Sequence, residues 1–133
     1  MISILKEGTT FNHKYTVSNE TVDNFARLSN DKNPLHTDNE FAKSKGFKSK
    51  VVHGNIQNCF LSHFVGECLP LKNVMILSQE IKYKAPVYIN DMLFLNIIIV
   101  NVFDSVKLIE LNFNFKNKND RTISTGKIKI KII

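Results

Sequence analysis

Asp31 and His36 flank a proline in the run Asn30-Asp31-Lys32-Asn33-Pro34-Leu35-His36. A carboxylate and an imidazole around one water form a competent acid–base pair, because an unperturbed histidine titrates near pH ~6.5. Five residues is not a same-face helical spacing, so a helix alone would not bring the two together. Pro34 cannot continue a helix, and Asn33 before it is pushed out of the α region, so a tight turn is expected. Such a turn can aim both side chains at one point. The spacing alone leaves two readings open: an acid–base pair, or a turn residue next to a structural histidine.

The elements that must position this turn follow from the hydrophobic pattern. Residues 11–17 read as a short strand. Ser18 then offers an N-cap, and Val22, Phe25, Ala26 and Ser29 follow at helical spacing. A second helix is expected to start at Thr37, with Glu40 completing a capping box, and to stop at Gly46. A longer helix is expected over 55–69, closed by Pro70. At 100° per residue, Asn55, Asn58, Cys59, Ser62 and Gly66 form one small or polar stripe, with Phe60, Leu61 and Phe64 opposite. Residues 74–86, 91–104, 106–116 and 121–132 read as strands. Ile109, Leu111, Phe113 and Phe115 alternate with polar partners, and so do Ile128, Ile130 and Ile132. Lysines on the wet face of that last strand would discourage edge pairing. Helices gathered in the first half and strands in the second predict an α+β domain, an antiparallel sheet of about five strands around one central helix.

Composition narrows the function classes. The chain has 133 residues and a formal charge of +6, with 43% hydrophobic and 23% charged residues. That is globular composition for a single domain over 1–133, and it argues against disorder. Sixteen of the eighteen cations are lysines spread along the chain. They read as a solvated surface, or as a surface for a small phosphate-bearing partner such as coenzyme A or a nucleotide. No basic cluster interleaves with aromatics, so nucleic acid is not expected. The apolar runs are too short for membrane insertion, and residues 1–7 lack the pattern of a signal peptide. Cys59 and Cys68 fit a reducing compartment, so the expected location is the cytoplasm. No metal is expected, because Asp31, His36 and His53 lack a third well-spaced ligand.

The segment Leu28–Asp38, continued through Phe47 and Val51-Val52-His53-Gly54, resembles the MaoC-like family of (R)-specific enoyl-CoA hydratases. The likeness extends to Gly66, Leu69-Pro70, and Lys84-Ala85-Pro86-Val87 with Asp91. It implies a hot-dog fold: a long central helix wrapped by a curved antiparallel sheet, a helical overhang carrying the catalytic loop, and a homodimer with its pocket near the interface. It implies that Asp31 and His36 are the catalytic pair for adding water across the C2=C3 bond of an enoyl thioester. Asp31 would be the base, with His36 orienting the water and helping deliver the proton to C2. No cofactor is implied beyond the coenzyme A or acyl-carrier thioester of the substrate.

Under the same resemblance Gly54 opens the central helix, where free N–H groups and the positive dipole end can bond the thioester carbonyl. Ser62 matches a pocket position. Asn33 would brace the turn, and His53 would hydrogen-bond the catalytic loop. His63 stands where a small residue is common, yet neither it nor His13 has motif support for catalysis. Asn90 replaces a glycine, and asparagine tolerates the left-handed conformation required there. One departure bears on substrate: Asn55 and Asn58 stand where apolar residues are common. Either the acyl group is short or polar, or these amides bond backbone or the other subunit. Two competing functions remain, a hot-dog thioesterase and a non-catalytic hot-dog binding or assembly protein. Lys82 and Lys84 precede Pro86 where strand lysines could meet phosphates, though solvated cations are the first reading.

Overall fold

The computed structural model describes residues 5–133, so the first four residues of the leader reading lie outside them. Strand β1 (Thr10–Thr16) leads into α1 (Asn19–Ser29), α2 (Pro34–Thr37), α3 (Asn39–Ser44) and α4 (Ile56–His63). A π-helical turn, Phe64–Cys68, prolongs α4. Then come β2 (Val74–Tyr83), β3 (Met92–Phe103), a single 3-10 turn at Asp104–Val106, β4 (Leu108–Lys116) and β5 (Thr122–Ile132). All strand pairs are antiparallel, in the order β1-β3-β4-β5-β2. This is the expected α+β arrangement of five strands around one central helix.

The core lies between α4 and the sheet. Ile56, Leu61, Phe64 and Val65 from the helix side meet Leu93, Leu95, Ile97, Ile109, Leu111 and Phe115, all buried. The alternation in β4 and β5 puts Ile109, Leu111, Phe113, Phe115, Ile128, Ile130 and Ile132 inside, as their period of two requires. Gly126 is needed where β5 passes under Phe113. An added Cβ would sit 1.9 Å from the Glu80 carbonyl and 2.5 Å from the Phe113 ring.

Several boundaries differ from the pattern reading. Pro34 does not only end a helix: at the first position of α2 it starts one, because its missing N–H is not needed there. The second helix is therefore split, and Asp38, not Thr37, caps α3 through bonds from Glu40 N and Phe41 N at 2.9 and 3.1 Å. The Thr37 hydroxyl turns back to the Asn33 carbonyl. Strand β2 stops at Tyr83 because Lys84 and Ala85 both donate to the Ile123 carbonyl and Pro86 has no N–H to offer. The lysine-bearing β5 is an interior strand, and the edges are β1 and β2. The polar stripe of α4 faces outward in the chain, with Asn55, Cys59, Ser62 and Gly66 exposed.

Candidate active site

The overhang α1–α3 sets the geometry. Ser18 caps α1 as its residue type suggests, accepting from Thr21 N at 3.1 Å. Helix α1 ends at Asn30 in the left-handed region, with φ 55°. The chain therefore turns sharply into Asp31. Asn33 holds the turn from both sides: its N–H donates to Asp31 Oδ1 at 3.1 Å, and its own Oδ1 accepts from Leu35 N at 2.9 Å. One carboxylate oxygen of Asp31 is thus fixed to the backbone. The other, Oδ2, faces two imidazoles.

His36 Nε2 lies 3.8 Å from that oxygen and His53 Nε2 lies 4.0 Å from it. The two rings stack with centroids 4.0 Å apart. Each ring is held by a backbone carbonyl. His36 Nδ1 meets Val51 O at 2.7 Å, and His53 Nε2 meets Asp31 O at 3.0 Å. Carbonyls only accept, so His36 carries a hydrogen on Nδ1, and it is the neutral ring that presents a bare Nε2 to Asp31. Val51 closes the arrangement from its other side, its N–H donating to Leu35 O at 2.9 Å. His53 is 4% exposed, and its Nδ1 is buried without a partner among the described residues. Its bond to Asp31 O ties the turn to the segment that opens α4.

A gap of 3.8 Å is too long for a direct hydrogen bond and suits two groups that share one oxygen-bearing molecule. Beside this pair is a cavity of about 430 Å³, lined in part by His36, Phe47, Val51, Gly54, Gln57 and Tyr83. Gly54 N–H makes no hydrogen bond within the described chain, and no side chain caps α4. The amide end of the central helix is therefore available to a ligand oxygen. A Cβ at Gly54 would lie 2.9 Å from the Tyr83 ring, so a larger residue there would require that ring to give way. Tyr83 holds its phenolic proton more tightly than usual, chiefly because it is partly buried.

The positions singled out by sequence separate into three groups. Asp31, Asn33, His36 and His53 come together at the turn, and of these His36 lines the cavity, with Gly54. Asn55 lines the cavity, but Asn58 and Ser62 do not. Asn58 Nδ2 donates to Asn55 Oδ1 at 2.8 Å, and Asn58 Oδ1 accepts from Gln79 at 2.6 Å. Ser62 is exposed and makes no hydrogen bond among the described residues. Lys84, read as a solvated cation, lines the cavity. Gln57, Phe47 and Tyr83 were not among the sequence candidates. A Gln beside a run of helix-forming residues carries no mark of burial, and Tyr83 reaches Gly54 only because β2 crosses the start of α4.

The fold supplies the third ligand that spacing denied: Asp31, His36 and His53 offer donor atoms within 4.8 Å of one another. They suit a metal poorly. His53 Nε2 is engaged with Asp31 O at 3.0 Å, so a metal there would break the bond that ties the turn to the start of α4. His13, His63 and Cys68 also meet, away from the cavity, around Tyr15, whose hydroxyl lies 2.8 Å from His63 Nδ1. No described helix is long and apolar enough to cross a membrane.

A family model described as MaoC like domain matches residues 3–119. Among curated relatives, an (R)-specific enoyl-CoA hydratase of Rhodospirillum rubrum is 36% identical over 87 residues, 65% of this chain and 60% of that protein. A mitochondrial 3-hydroxyacyl-[acyl-carrier-protein] dehydratase of Arabidopsis thaliana is 27% identical over 93% of this chain and 75% of its own length. The first of these relatives is thus matched over less than two thirds of its length. Among solved structures, an (R)-hydratase from A. caviae involved in PHA biosynthesis superposes with a TM-score of 0.90 at 26% identity, covering 98% of this chain and 99% of its own. The shared architecture is the hot-dog fold.

Proposed function

The chain belongs to the MaoC-like domain family, and from that footing we propose that it is an (R)-specific enoyl-thioester hydratase, acting in reverse as a 3-hydroxyacyl-thioester dehydratase. The observation that carries the reading is the open 3.8 Å space between Asp31 Oδ2 and His36 Nε2, beside a cavity that reaches the free Gly54 amide. The names of the relatives and of the (R)-hydratase structure point the same way.

The chemistry follows from the donors and acceptors. A water between the pair donates one hydrogen to the Asp31 carboxylate and the other to the bare Nε2 of His36. Its lone pair is left facing C3 of the enoyl group. As the C3–O bond forms, Asp31 takes the proton and charge moves onto the thioester oxygen, where Gly54 N–H stabilises it. The proton on Asp31 then passes to C2, which restores the carboxylate. His36 is an acceptor at rest, so it orients the water while Asp31 delivers the proton. Of the two parts that the family resemblance implies for His36, orienting the water and helping deliver the proton to C2, this proposal uses the first. Dehydration runs the same steps backwards.

The working unit in this proposal is a homodimer joined along β2. That edge strand exposes Met75, Ile76 and Leu77, and it ends at Tyr83 on the cavity wall. Pairing there would place the cavity at the interface. The two free cysteines suit a reducing, cytoplasmic setting. A thioesterase finds less support: Glu67, the carboxylate on the helical segment, is exposed and paired with Lys72 at 3.4 Å.

The test is hydration of crotonyl-CoA and of crotonyl-acyl-carrier protein, followed by loss of the enoyl-thioester absorbance, with free thiol measured in parallel. The reading expects hydration to (R)-3-hydroxybutyryl thioester without thiol release. Thiol release without hydration would favour the thioesterase. No turnover of either thioester would remove the lyase reading.

A further inference from the structure

We propose that Gln57 forms a polar subsite in the cavity wall that selects acyl groups bearing a hydroxyl. The proposal rests on the hydratase reading and names its substrate class. Asn55 and Asn58, the amides that sequence pattern marks as out of place, largely satisfy each other and Gln79. The amide left over is Gln57.

Gln57 is 4% exposed and sits in the first turn of α4, three residues beyond Gly54. Its Oε1 accepts from the Ser124 hydroxyl at 2.6 Å, and Ser124 on β5 is fully buried. That bond fixes the amide plane from the sheet side. The other end of the amide, Nε2, has no hydrogen-bond partner among the described residues, and Gln57 is one of the residues that line the cavity. The same wall holds Val51, Val52, Ala85 and Val87, whose side chains offer only carbon, and the polar His36, Asn55, Tyr83 and Lys84.

A half-satisfied amide in such a wall is costly to cover with hydrocarbon. A plain acyl chain displaces whatever water meets Nε2 and returns no acceptor, leaving a buried donor unpaired. An acyl oxygen restores the bond. Turned end for end, the amide would present its oxygen instead. A hydroxyl answers both orientations, since it donates and accepts. A site that hydrogen-bonds a substrate hydroxyl rejects the analogue lacking it far better than an apolar pocket rejects an extra methylene.

The experiment compares hex-2-enoyl-CoA with its 4-, 5- and 6-hydroxy analogues, using the wild type, Gln57→Met and Ser124→Ala. Met keeps the length of Gln without its amide, and Ser124→Ala frees the amide to rotate. The wild type should prefer at least one hydroxylated substrate by roughly 10- to 100-fold in kcat/KM. Gln57→Met should bring that ratio down to near unity, and Ser124→Ala should lower it in part. Equal or better use of hex-2-enoyl-CoA at every hydroxyl position overturns the subsite. So does a preference that survives Gln57→Met. Hydration of plain hex-2-enoyl-CoA reports on the hydratase reading by itself. If no enoyl thioester is hydrated, that reading falls and takes the subsite with it.

Discussion

Asp31 and His36 face each other across 3.8 Å, with one oxygen of Asp31 tied to the Asn33 amide and the other free. Each member is anchored on backbone: the imidazole on Val51 O, fifteen residues along the chain, and the carboxylate on Asn33 N–H within the turn. The free oxygen and the bare Nε2 therefore converge without touching.

The pair can be tested one member at a time. Asp31→Asn keeps the shape and the Asn33 contact but removes the base. His36→Ala removes the water's second acceptor. Each should lower kcat for crotonyl-CoA hydration by about 100- to 10,000-fold, with unchanged circular dichroism and melting temperature within a few degrees. A loss below tenfold in Asp31→Asn would show that the carboxylate is not the base.

Gly54 should not tolerate a methyl group. A Cβ would lie 2.9 Å from Tyr83 Cε1, so Gly54→Ala must move the ring or the helix start. A misplacement of that kind near the reacting carbonyl should cost roughly 10- to 100-fold in kcat/KM. Adding Tyr83→Ala removes the obstacle, so the double variant should recover part of the loss. A double variant no better than Gly54→Ala would mean that Tyr83 is not the cause.

Gly126 tests the fold rather than the site. A Cβ 1.9 Å from the Glu80 carbonyl cannot be absorbed by rotating a side chain, because that neighbour is backbone of the paired strand β2. Gly126→Ala should destabilise by about 3 kcal/mol or more, read as a fall in urea midpoint or as failure to accumulate folded protein. Stability within 1 kcal/mol of the wild type, on the scale of a neutral surface change, would contradict the packing described.

Tyr15 predicts the alkaline behaviour. Burial, and next the nearby Cys68, raise its pKa above the ordinary tyrosine value, and its hydroxyl bonds Phe60 O at 3.1 Å. A raised folded pKa means the unfolded chain loses the proton first. The stability linked to Tyr15 is thus present below pH ~10 and lost as pH rises from there toward the folded value. Melting temperature should fall between about pH 9.5 and 11, and less steeply in Tyr15→Phe. Parallel slopes for the two proteins would show that Tyr15 does not govern the decline.

How much of this was legible beforehand depended on whether the cause was local. The strands β4 and β5 were visible because Ile109–Phe115 and Ile128–Ile132 alternate cleanly, and one face is all core. Of the left-handed non-glycine residues Asn30, Asn90, Lys107 and Asp120, Asn90, with φ 74°, was legible, since asparagine carries that preference in its own chemistry. The π turn at Phe64–Cys68 left no such trace, because apolar residues at 60, 61, 64 and 65 suit an α-helix equally well. That His53 hydrogen-bonds the Asp31 loop was legible through the family resemblance alone, because where α4 begins relative to α1 is a long-range relation that no spacing encodes. Gln57 escaped for the same reason: its partner Ser124 is on β5, 67 residues away. Asn55 and Asn58 looked like pocket residues because the helical wheel gives direction but not what stands opposite, which here is Gln79 on β2.

The most direct measurement is a crystal structure of the protein with 3-hydroxybutyryl-CoA bound. The account places the 3-hydroxyl oxygen between Asp31 Oδ2 and His36 Nε2, within about 3 Å of both, with the thioester oxygen on Gly54 N–H. A hydroxyl bonded to neither side chain, or a thioester turned away from Gly54, would contradict it.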